Sequence, residues 1–478
     1  MLLYILLLLL IFICILVVRA LLLKPEKMPE AVGAAKDEEI HEEDTVRHMQ
    51  ALIRCRTVSS SDPEKEDPKE FDRLTGLLPS LFPNVHKVCE FTMPSTRSLV
   101  FRWKGKDSSS SAVLMAHYDV VPVHEPSWSK PPFDAIIEDG VMWGRGTIDT
   151  KSTFLGILEA ADTLIREGYQ PQHDLYLCFS GTEEVNGFGA PAIVRYLKEK
   201  GIRPSFVLDE GGAVVSGAFP SVRMRSAVIG IAEKGTMAVR FSVPGAGGHA
   251  STPPSCSSIR MLSDAVHKVE THPFPVRISD AARATFRCMG SHASFPFRVI
   301  FANTDLLHPL IVLICRLIGG EINALTRTTT AFTQMEGSEA FNVMPSNPWI
   351  GANVRINVGE TTESVIERLK KIVNNPKVQI ECTWGRNPSP VSLTDGDGWE
   401  AICSAVSETW DDTFVSPYLM LASSDSWHYS EICDRVYRFS PMIMSKEERR
   451  MIHGNDERLP IDTLLTTVRF FKRLMRKC

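Results

Sequence analysis

Three short apolar runs in this chain each lead into residues that bind metals or move protons. The runs cover residues 111–116, 175–179 and 206–208, and they lead into His117-Tyr118-Asp119, Glu183-Glu184 and Asp209-Glu210. Short apolar runs of this kind are typical of buried strands, and open α/β sheets carry their sites at the carboxyl ends of such strands. The chain is therefore predicted to be an α/β protein with a mixed central β-sheet flanked by helices.

The first of these strand ends pairs a histidine with an acid two residues later. Side chains two apart on a strand share a face, so His117 and Asp119 are expected to point the same way. A metal-binding imidazole needs an acceptor on its other nitrogen, and a carboxylate in that place fixes the ring. Taken alone, the pattern also fits a surface histidine and aspartate at the end of a strand.

Three further acids, at two places in the chain, are candidates for binding a cation. Asp149 follows the turn-forming Gly144-Arg145-Gly146 and opens a helical pattern, so it either caps that helix or bridges two cations with its two oxygens. Glu183 and Glu184 are adjacent like charges beside an apolar strand, an arrangement that is costly without a positive partner.

Six motifs, taken together in order, resemble a known family. They are His117-Tyr118-Asp119-Val120-Val121-Pro122-Val123, Trp143-Gly144-Arg145-Gly146-Thr147-Ile148-Asp149-Thr150-Lys151, Gly181-Thr182-Glu183-Glu184, Asp209-Glu210-Gly211-Gly212, Gly248-His249-Ala250-Ser251 and His453-Gly454-Asn455. They are similar to those of the di-zinc aminoacylase/carboxypeptidase family, and within it to the carboxypeptidase S and N-fatty-acyl-amino-acid synthase/hydrolase branch. The resemblance covers most of residues 43–478.

The resemblance implies a site with two Zn²⁺ per chain, for which Co²⁺ or Mn²⁺ are substitutes. One zinc would be held by His117 and Asp209, the other by Glu184 and His453, with Asp149 bridging them. Each ion then keeps an open position, as catalytic zinc does.

The same resemblance gives roles to the groups that move protons or stabilise charge. Asp119 would orient His117, and Glu183 would be the general base. His249 would donate to the oxyanion of the tetrahedral intermediate, often from a partner subunit. Without the family, a loop histidine in contact with water is an equal interpretation of His249.

A substrate anchor is expected on a half-buried strand. Residues 349–358 alternate apolar and polar, which places Arg355 on the polar face, where a guanidinium can bind a carboxylate in a fork. The family pattern implies that Asn342 assists. A solvated surface arginine is the alternative to this anchor.

The expected function is zinc-dependent cleavage of the amide bond of N-acyl amino acids or small peptides with a free carboxylate, with the reverse condensation also allowed. A non-catalytic metal- or ligand-binding protein on the same fold is the alternative. A serine hydrolase would need a G-x-S-x-G elbow, which the sequence lacks. The net charge of -5 gives no reason to expect nucleic acid.

Two segments depart from the family pattern and concern substrate choice. Residues 423–427 only approximate the substrate-pocket loop of the family. Asp456 stands where a glutamate is expected, with Glu457 next to it.

The N-terminus is predicted to be a single membrane anchor. Residues 1–18 carry no charged side chain, and there is neither a basic segment before them nor a small-x-small cleavage site. Residues 1–24 are therefore interpreted as an anchor and 25–42 as a polar tether. Arg19, Lys24 and Lys27 favour the cytosolic side for the enzyme, whereas the family branch includes secreted members.

The remaining chain is predicted to be one catalytic domain, residues 43–232 and 389–478, interrupted by residues 233–388. The interrupting segment has a β-α-β-β-α-β order, which indicates an α+β ferredoxin-like insertion. It resembles the lid or dimerisation domain of the family, through which a homodimer would form. Within it, residues 273–326 are an extra insertion whose apolar run, 310–318, is expected to be a packed helix that could line an acyl pocket or cover the dimer surface.

Overall fold

The computed structural model describes residues 1–25, 40–217, 219, 221–245 and 247–478. Most of the predicted tether, 26–39, therefore lies outside the described residues. The helices are α1 (Leu2–Leu22), α2 (Glu42–Ile53), α3 (Pro68–Leu81), α4 (Pro83–Val88), α5 (Lys151–Arg166), α6 (Gly189–Glu199), α7 (Ser258–Thr271), α8 (Asp280–His292), α9 (Phe295–Ala302), α10 (His308–Ile318), α11 (Gly320–Thr326), α12 (Thr362–Val373), α13 (Asp397–Thr409), α14 (Glu448–Met451) and α15 (Ile461–Met475).

The strands form four sheets. They are β1 (Glu90–Ser95), β2 (Ser98–Trp103), β3 (Asp107–His117), β4 (Ile136–Glu138), β5 (Val141–Trp143), β6 (His173–Ser180), β7 (Phe206–Val215), β8 (Arg225–Glu233), β9 (Gly235–Ser242), β10 (Gly248–His249), β11 (Thr329–Glu336), β12 (Val343–Met344), β13 (Trp349–Ile356), β14 (Gln379–Arg386), β15 (Thr413–Met420), β16 (Val436–Ile443) and β17 (Arg458–Pro460).

The central sheet has eight strands in the order β1-β2-β6-β3-β7-β16-β8-β15. Its middle pairs, β6 with β3, β3 with β7 and β7 with β16, are parallel, whereas β1, β2 and β6 pair antiparallel. The sheet is therefore mixed, as predicted. Helices α5 and α15 pack on the central sheet and against each other. As a consequence, nearly every side chain of α5 is buried.

The parallel strands bring the predicted site residues to one edge. In the register of β3 with β6, His117 lies opposite Ser180, so the loop with Glu183 and Glu184 begins beside the imidazole. Strand β7 pairs with the other side of β3 as far as Leu208. The carboxyl ends of all three strands therefore meet, which is where an open α/β sheet carries its site.

A second sheet lies in the interrupting segment. Its order is β11-β13-β9-β14, all antiparallel, with α7 and α12 packed against each other beside it. The chain order β9-α7-β11-β13-α12-β14 is the predicted β-α-β-β-α-β pattern, and the strand order is that of a ferredoxin-like sheet. The exact domain limits and the role of this body as a lid or dimerisation domain stay predictions.

Helices α8 to α11 form the extra insertion between α7 and β11. The predicted apolar helix is present as α10, but it is packed on one side only: Ile311 is buried, whereas Leu310, Leu313 and Leu317 are exposed. Helix α1 is the one described helix that is long and apolar enough to cross a membrane, with a mean hydropathy of 3.3. A membrane anchor and a signal sequence both have this property.

Candidate active site

Asp149 stands between two histidines at the sheet edge. Its Oδ1 lies 3.0 Å from Nε2 of His117, and its Oδ2 lies 3.1 Å from Nε2 of His453. A second acid, Glu184, has Oε2 at 3.0 Å from the same nitrogen of His453. One ligand atom from each of His117, Asp149 and Glu184 lies within 4.8 Å of the other two. One carboxylate thus faces two separate imidazoles, as a group shared by two cations must.

His453 reaches this position through an unusual backbone conformation. Its φ angle is +59°, in the left-handed region that side chains with a Cβ seldom adopt. Non-glycine residues held there are concentrated at functional sites. The imidazole remains about half exposed, in contrast to His117, which is buried.

Asp119 contacts more than the histidine it was predicted to orient. Nδ1 of His117 lies 3.0 Å from the Asp119 carbonyl oxygen and 3.4 Å from its carboxylate. The same carboxylate accepts the backbone N–H groups of Glu183 and Glu184, both at 3.1 Å, and the Ser59 hydroxyl at 2.7 Å. Fully buried Asp119 therefore fixes both the imidazole and the loop that carries the two glutamates.

At the end of β7, two adjacent acids approach the site, Asp209 and Glu210. The acid that faces His117 is Glu210, with Oε1 at 3.4 Å from Nε2. Asp209, the predicted ligand, is buried at the same edge and accepts the backbone N–H of Ser426 at 3.1 Å; its role as a ligand stays a prediction. The pairing of β3 with β7 ends at Leu208, and the register of β7 with β16 shifts between Asp209 and Gly212. The regular alternation of faces therefore does not extend to Glu210.

A glycine makes this irregularity possible. A Cβ on Gly212 would stand 1.8 Å from the carbonyl oxygen of Val228, so no other residue fits between β7 and β8 there. The close approach of two strands therefore explains Gly212 of the sequence motif, and a φ angle of +141° explains the glycine at position 211.

A second buried carboxylate supports the loop that carries Asp149. Glu457 accepts the backbone N–H groups of Gly146, Ile148 and Asp149 at 3.0, 2.7 and 3.1 Å, and it pairs with Arg145 at 2.8 Å. Asp456, which the sequence comparison singled out, points elsewhere and accepts from the backbone and hydroxyl of Ser129. Of these two adjacent acids, Glu457 therefore holds the loop that carries Asp149, and the departure from the family pattern at Asp456 stays a prediction.

The pKa shifts of the acids and imidazoles in this cluster indicate a site for additional positive charge. Burial, reinforced by the charge on Asp149, raises the pKa of Glu184 and that of Glu210 to about 7. Burial would lower the pKa of His117, but hydrogen bonds to Asp119, Asp149 and Glu210 raise it well above its usual value. Hydrogen bonds to Asp149 and Glu184 raise the pKa of His453 to about 10.

This donor set fits divalent cations. Without them, protons on the imidazoles and on some of the acids balance the charge, and a cation would replace those protons. The ligand atoms are imidazole nitrogens and carboxylate oxygens, which suit zinc and similar ions.

Glu183 has the surroundings expected of a proton carrier. Burial raises its pKa well above the usual value; the charge on His117 opposes this, and those on Asp425 and Glu184 reinforce it. Asp425, buried near it, was not among the predicted site residues, and burial raises its pKa to about 7. It lies in residues 423–427, the loop that departs from the family pattern, so the loop reaches the site despite its altered sequence.

His249 lies apart from this cluster. It belongs to the short strand β10, which pairs with β12, so that Ala250 N–H donates to the Asn342 carbonyl at 3.0 Å. The exposed imidazole contacts Ser251 at 2.7 Å. His249 and Asn342 are thus brought together, but no contact joins His249 to His117, Asp149 or His453 within the described chain.

Arg355 lies near two other basic groups, Arg386 and Lys234, and near the acid Glu233, which pairs with Arg386. It is partly buried on β13, and its Nε donates to Asn353 at 3.2 Å. Burial and the neighbouring Arg386 lower its pKa. Burial and the charge of Arg355 in turn lower the pKa of Lys234 to about 7. A substrate anion would be attracted to these charges, and the role of Arg355 as an anchor stays a prediction.

The sequence matches a described family over most of its length. The model of peptidase family M20/M25/M40 matches residues 113–477. The chain belongs to this family. It is therefore a hydrolase that acts on amide bonds, and the serine hydrolase alternative is excluded.

Curated M20 relatives share about a third of their residues with this chain. "Probable carboxypeptidase S-like 2" of Dictyostelium discoideum is 33% identical over 431 residues, 88% of this chain and 82% of the relative. An N-fatty-acyl-amino acid synthase/hydrolase of Danio rerio is 33% identical over 441 residues, 90% of this chain and 84% of the relative. Both belong to the branch that the motifs indicated.

Solved M20 structures share the fold. The M20 family metallo-carboxypeptidase Sso-CP2 from Sulfolobus solfataricus superposes with a TM-score of 0.65 at 15% identity, covering 92% of this chain and 99% of that one. A Bacillus subtilis protein, YXEP, described as a dinuclear metal binding peptidase from this family, gives 0.54 at 12% identity, covering 91% and 98%. The predicted fold class is confirmed, and the chain belongs to a family with dinuclear metal-binding members.

Proposed function

We propose that this M20 protein is a di-zinc amidohydrolase that cleaves N-acyl amino acids or small peptides with a free carboxylate and that also catalyses the reverse condensation. The observation that carries the proposal is Asp149 standing between His117 and His453, with Glu184 and Glu210 completing the two sides. The Danio rerio relative supports the substrate class, because its name describes synthesis and hydrolysis of N-fatty-acyl amino acids.

In this proposal His117 and Glu210 hold one cation, His453 and Glu184 hold the other, and Asp149 contacts both. Glu210 thus takes the role first predicted for Asp209. The bound ions would supply Lewis acidity and lower the pKa of water, which reaches about 7 on catalytic zinc. Cobalt and manganese are expected substitutes for zinc because they accept the same nitrogen and oxygen ligands.

Glu183 carries the proton. Its carboxylate takes a proton from the water that attacks the amide carbonyl and delivers it to the nitrogen of the departing amine. The loop that holds it is fixed by the two N–H bonds to Asp119, so the carboxylate stays close to the acids and imidazoles of the site. By microscopic reversibility the same group serves condensation when free acid and amine are abundant.

The substrate is held by the ferredoxin-like body. Arg355 would bind the free carboxylate, and Asn342 would assist. His249, exposed on β10, would donate a hydrogen bond to the oxyanion once it is brought over the site by a partner subunit or by closure of this body. A homodimer through this body is part of the proposal.

Helix α1 would anchor the enzyme in a membrane. A fatty-acyl substrate partitions into lipid, so an anchored enzyme meets it at high local concentration. Exposed apolar side chains along α1 support anchoring, because a water-soluble protein would bury the apolar side chains of such a helix.

The proposal is tested on full-length protein in lipid nanodiscs. Metal content is measured by mass spectrometry, and turnover is measured on fatty-acyl, acetyl and dipeptide substrates with and without chelator. We expect about two zinc ions per chain and turnover that chelator abolishes, with the substrate panel separating acylase from dipeptidase activity. Metal-free protein that cleaves these substrates would refute the proposal.

A matched pair of variants tests the role of Glu183. Glu183→Gln should keep both ions and lose activity by about 10²-fold or more, because a general base contributes 10²–10⁴-fold. Glu199→Gln, an exposed change at the end of α6, should leave metal content and activity unchanged. If Glu183→Gln retained wild-type turnover, another group would be the base.

A further inference from the structure

Helix α10 presents a row of leucines to solvent. Leu306, Leu310, Leu313 and Leu317 are 40%, 41%, 52% and 77% exposed. Their spacing of four, three and four residues places the last three on one face of the helix, with Leu306 just before it. The opposite side of α10 packs through Ile311 onto Val276. A continuous apolar stripe of this kind marks a surface that is covered when the protein functions.

The apolar N-terminal helix packs against α9 and the loop that leads into α10. Nδ2 of Asn303 donates to the Leu16 carbonyl at 3.0 Å, and Arg19 makes a bidentate pair with Asp305 at 3.0 Å for both bonds. Ala20 is fully buried in the contact. Leu306, the first leucine of the stripe, follows Asp305 directly in the chain.

The position of the contact along α1 decides what covers the stripe. Leu16 lies within the uncharged part of α1, residues 2–18, and not after it. Where this part of α1 lies in hydrocarbon, α9 and the start of α10 are brought to the same depth. The pairing of Arg19 with Asp305 offsets the charge at the point where the two segments meet.

A basic rim lies at the other end of the contact. Lys24, Arg283 and Arg287 line a cavity of about 410 Å³ between the end of α1 and α8, together with Asp280. Basic side chains next to an apolar surface are the arrangement by which proteins lie in the headgroup region of anionic membranes. From Leu16 to Lys24 the surroundings of the chain change from apolar to basic. This is the order of environments from the hydrocarbon to the headgroups of a membrane.

We propose that the α9–α10 side of the insertion is a membrane-embedded surface, with the leucine stripe in the lipid and the basic rim at the headgroups. Helix α10 is too short to span a bilayer, so it lies along the interface. The inference rests on α1 being a membrane anchor and adds that the catalytic body is held against the bilayer by a second, non-spanning contact.

The test places a photo-crosslinking amino acid, p-benzoylphenylalanine, at single positions of the full chain in nanodiscs of phosphatidylcholine and phosphatidylserine. The positions are Leu313 in the stripe, Leu8 in α1 as the anchor control, and Glu367 on the exposed side of α12 as the soluble control. Mass spectrometry identifies lipid adducts, and gel electrophoresis identifies crosslinked pairs of chains. The substituted leucines are exposed, so the fold should tolerate them.

We expect lipid adducts at Leu8 and Leu313 and none at Glu367. Adducts at Leu8 alone would overturn the inference and leave the anchor intact. A crosslinked pair of chains from Leu313 in place of lipid would make the stripe a contact between two copies and would also overturn the inference. Absence of adducts at both Leu8 and Leu313 would remove the anchor and the surface together, while the zinc and turnover measurements above would still decide the catalytic proposal.

Discussion

Two buried carboxylates hold the loops of the site in place, and neither of them is proposed to bind metal or substrate. Asp119 binds the backbone of Glu183 and Glu184, and Glu457 binds the backbone of the loop that ends in Asp149. Charged acceptors form stronger hydrogen bonds to backbone N–H groups than neutral ones do. The loops are therefore fixed by interactions with their main chain, which leaves their own carboxylates free for the site.

The role of Glu457 can be separated from that of its neighbour. Glu457→Gln removes the charge that pairs with Arg145 and weakens the hold on the loop, so we expect zinc affinity to fall by about 10–100-fold, the usual cost of losing such support. Asp456→Asn changes only the contact with Ser129 and should keep affinity. Competition with a chromophoric chelator measures both. Equal affinities in the two variants would contradict the assignment.

The choice between the two acids at the end of β7 can be tested in the same way. Glu210→Gln should lose one of the two zinc ions, because its carboxylate is the one beside His117. Asp209→Asn should keep both ions, because its contact is with the Ser426 backbone. Metal content per chain is the measurement. The reverse result would restore Asp209 as the ligand.

Most of the candidate site could be predicted from the sequence, and the exceptions have a physical cause. His117, Asp149, Glu184 and His453 lie in short motifs whose residues the structure brings together. Asp209 and Glu210 differ by one position, and which of them faces His117 depends on where β7 leaves its pairing with β3. That is set by contacts between strands distant in sequence, which no local pattern contains.

At the scale of elements, one buried glutamate joins the two bodies of the chain. Glu233, at the end of β8, pairs with Arg386 of β14 at 2.9 Å and with Arg438 of β16 at 3.0 Å, and it accepts the backbone N–H of Ser424 at 3.0 Å. Strand β9 begins two residues later, and β14 ends at Arg386. Both connections to the ferredoxin-like sheet are thus tied to the central sheet.

This junction predicts a large loss of stability for one substitution. Glu233→Ala leaves two buried guanidinium groups without their acid, so we expect the free energy of unfolding to fall by about 3–5 kcal/mol. Asp395→Ala breaks the exposed pair with Arg435 and should cost about 0–1 kcal/mol. Urea unfolding followed by tryptophan fluorescence compares them. A loss below about 1 kcal/mol for Glu233→Ala would show that the junction contributes little.

The elements were easier to predict than their packing. Short apolar runs predicted β3, β6 and β7 of the central sheet, and the alternating pattern predicted the β-α-β-β-α-β order of the second sheet, because burial leaves its mark on each segment. The other five strands of the central sheet were not predicted. Helix α10 was predicted to be packed against protein. The apolar sequence of such a helix is the same whether protein or another apolar phase covers it. The Glu233 junction was not anticipated, because its members come from strands far apart in the chain.

At the scale of the whole molecule, the groups proposed to act together are divided between the two bodies. Glu183 and the acids lie at the edge of the central sheet, whereas His249 lies on the small β10–β12 sheet. The described chain shows no contact between His249 and the metal-binding cluster, so a productive complex needs either closure within one chain or a histidine supplied by a second copy. These two arrangements predict different behaviour of mixed variants.

Mixing two inactive variants distinguishes closure within one chain from a histidine supplied by a second copy. Glu183→Ala lacks the base, and His249→Ala lacks the oxyanion donor. If His249 acts across a homodimer, a mixed dimer has one site with both groups, and random exchange of subunits should restore about a quarter of wild-type turnover. Each variant alone is the control. If exchange is verified by a mass tag and activity stays at the level of the separate variants, His249 acts within its own chain and the ferredoxin-like body must close over its own site.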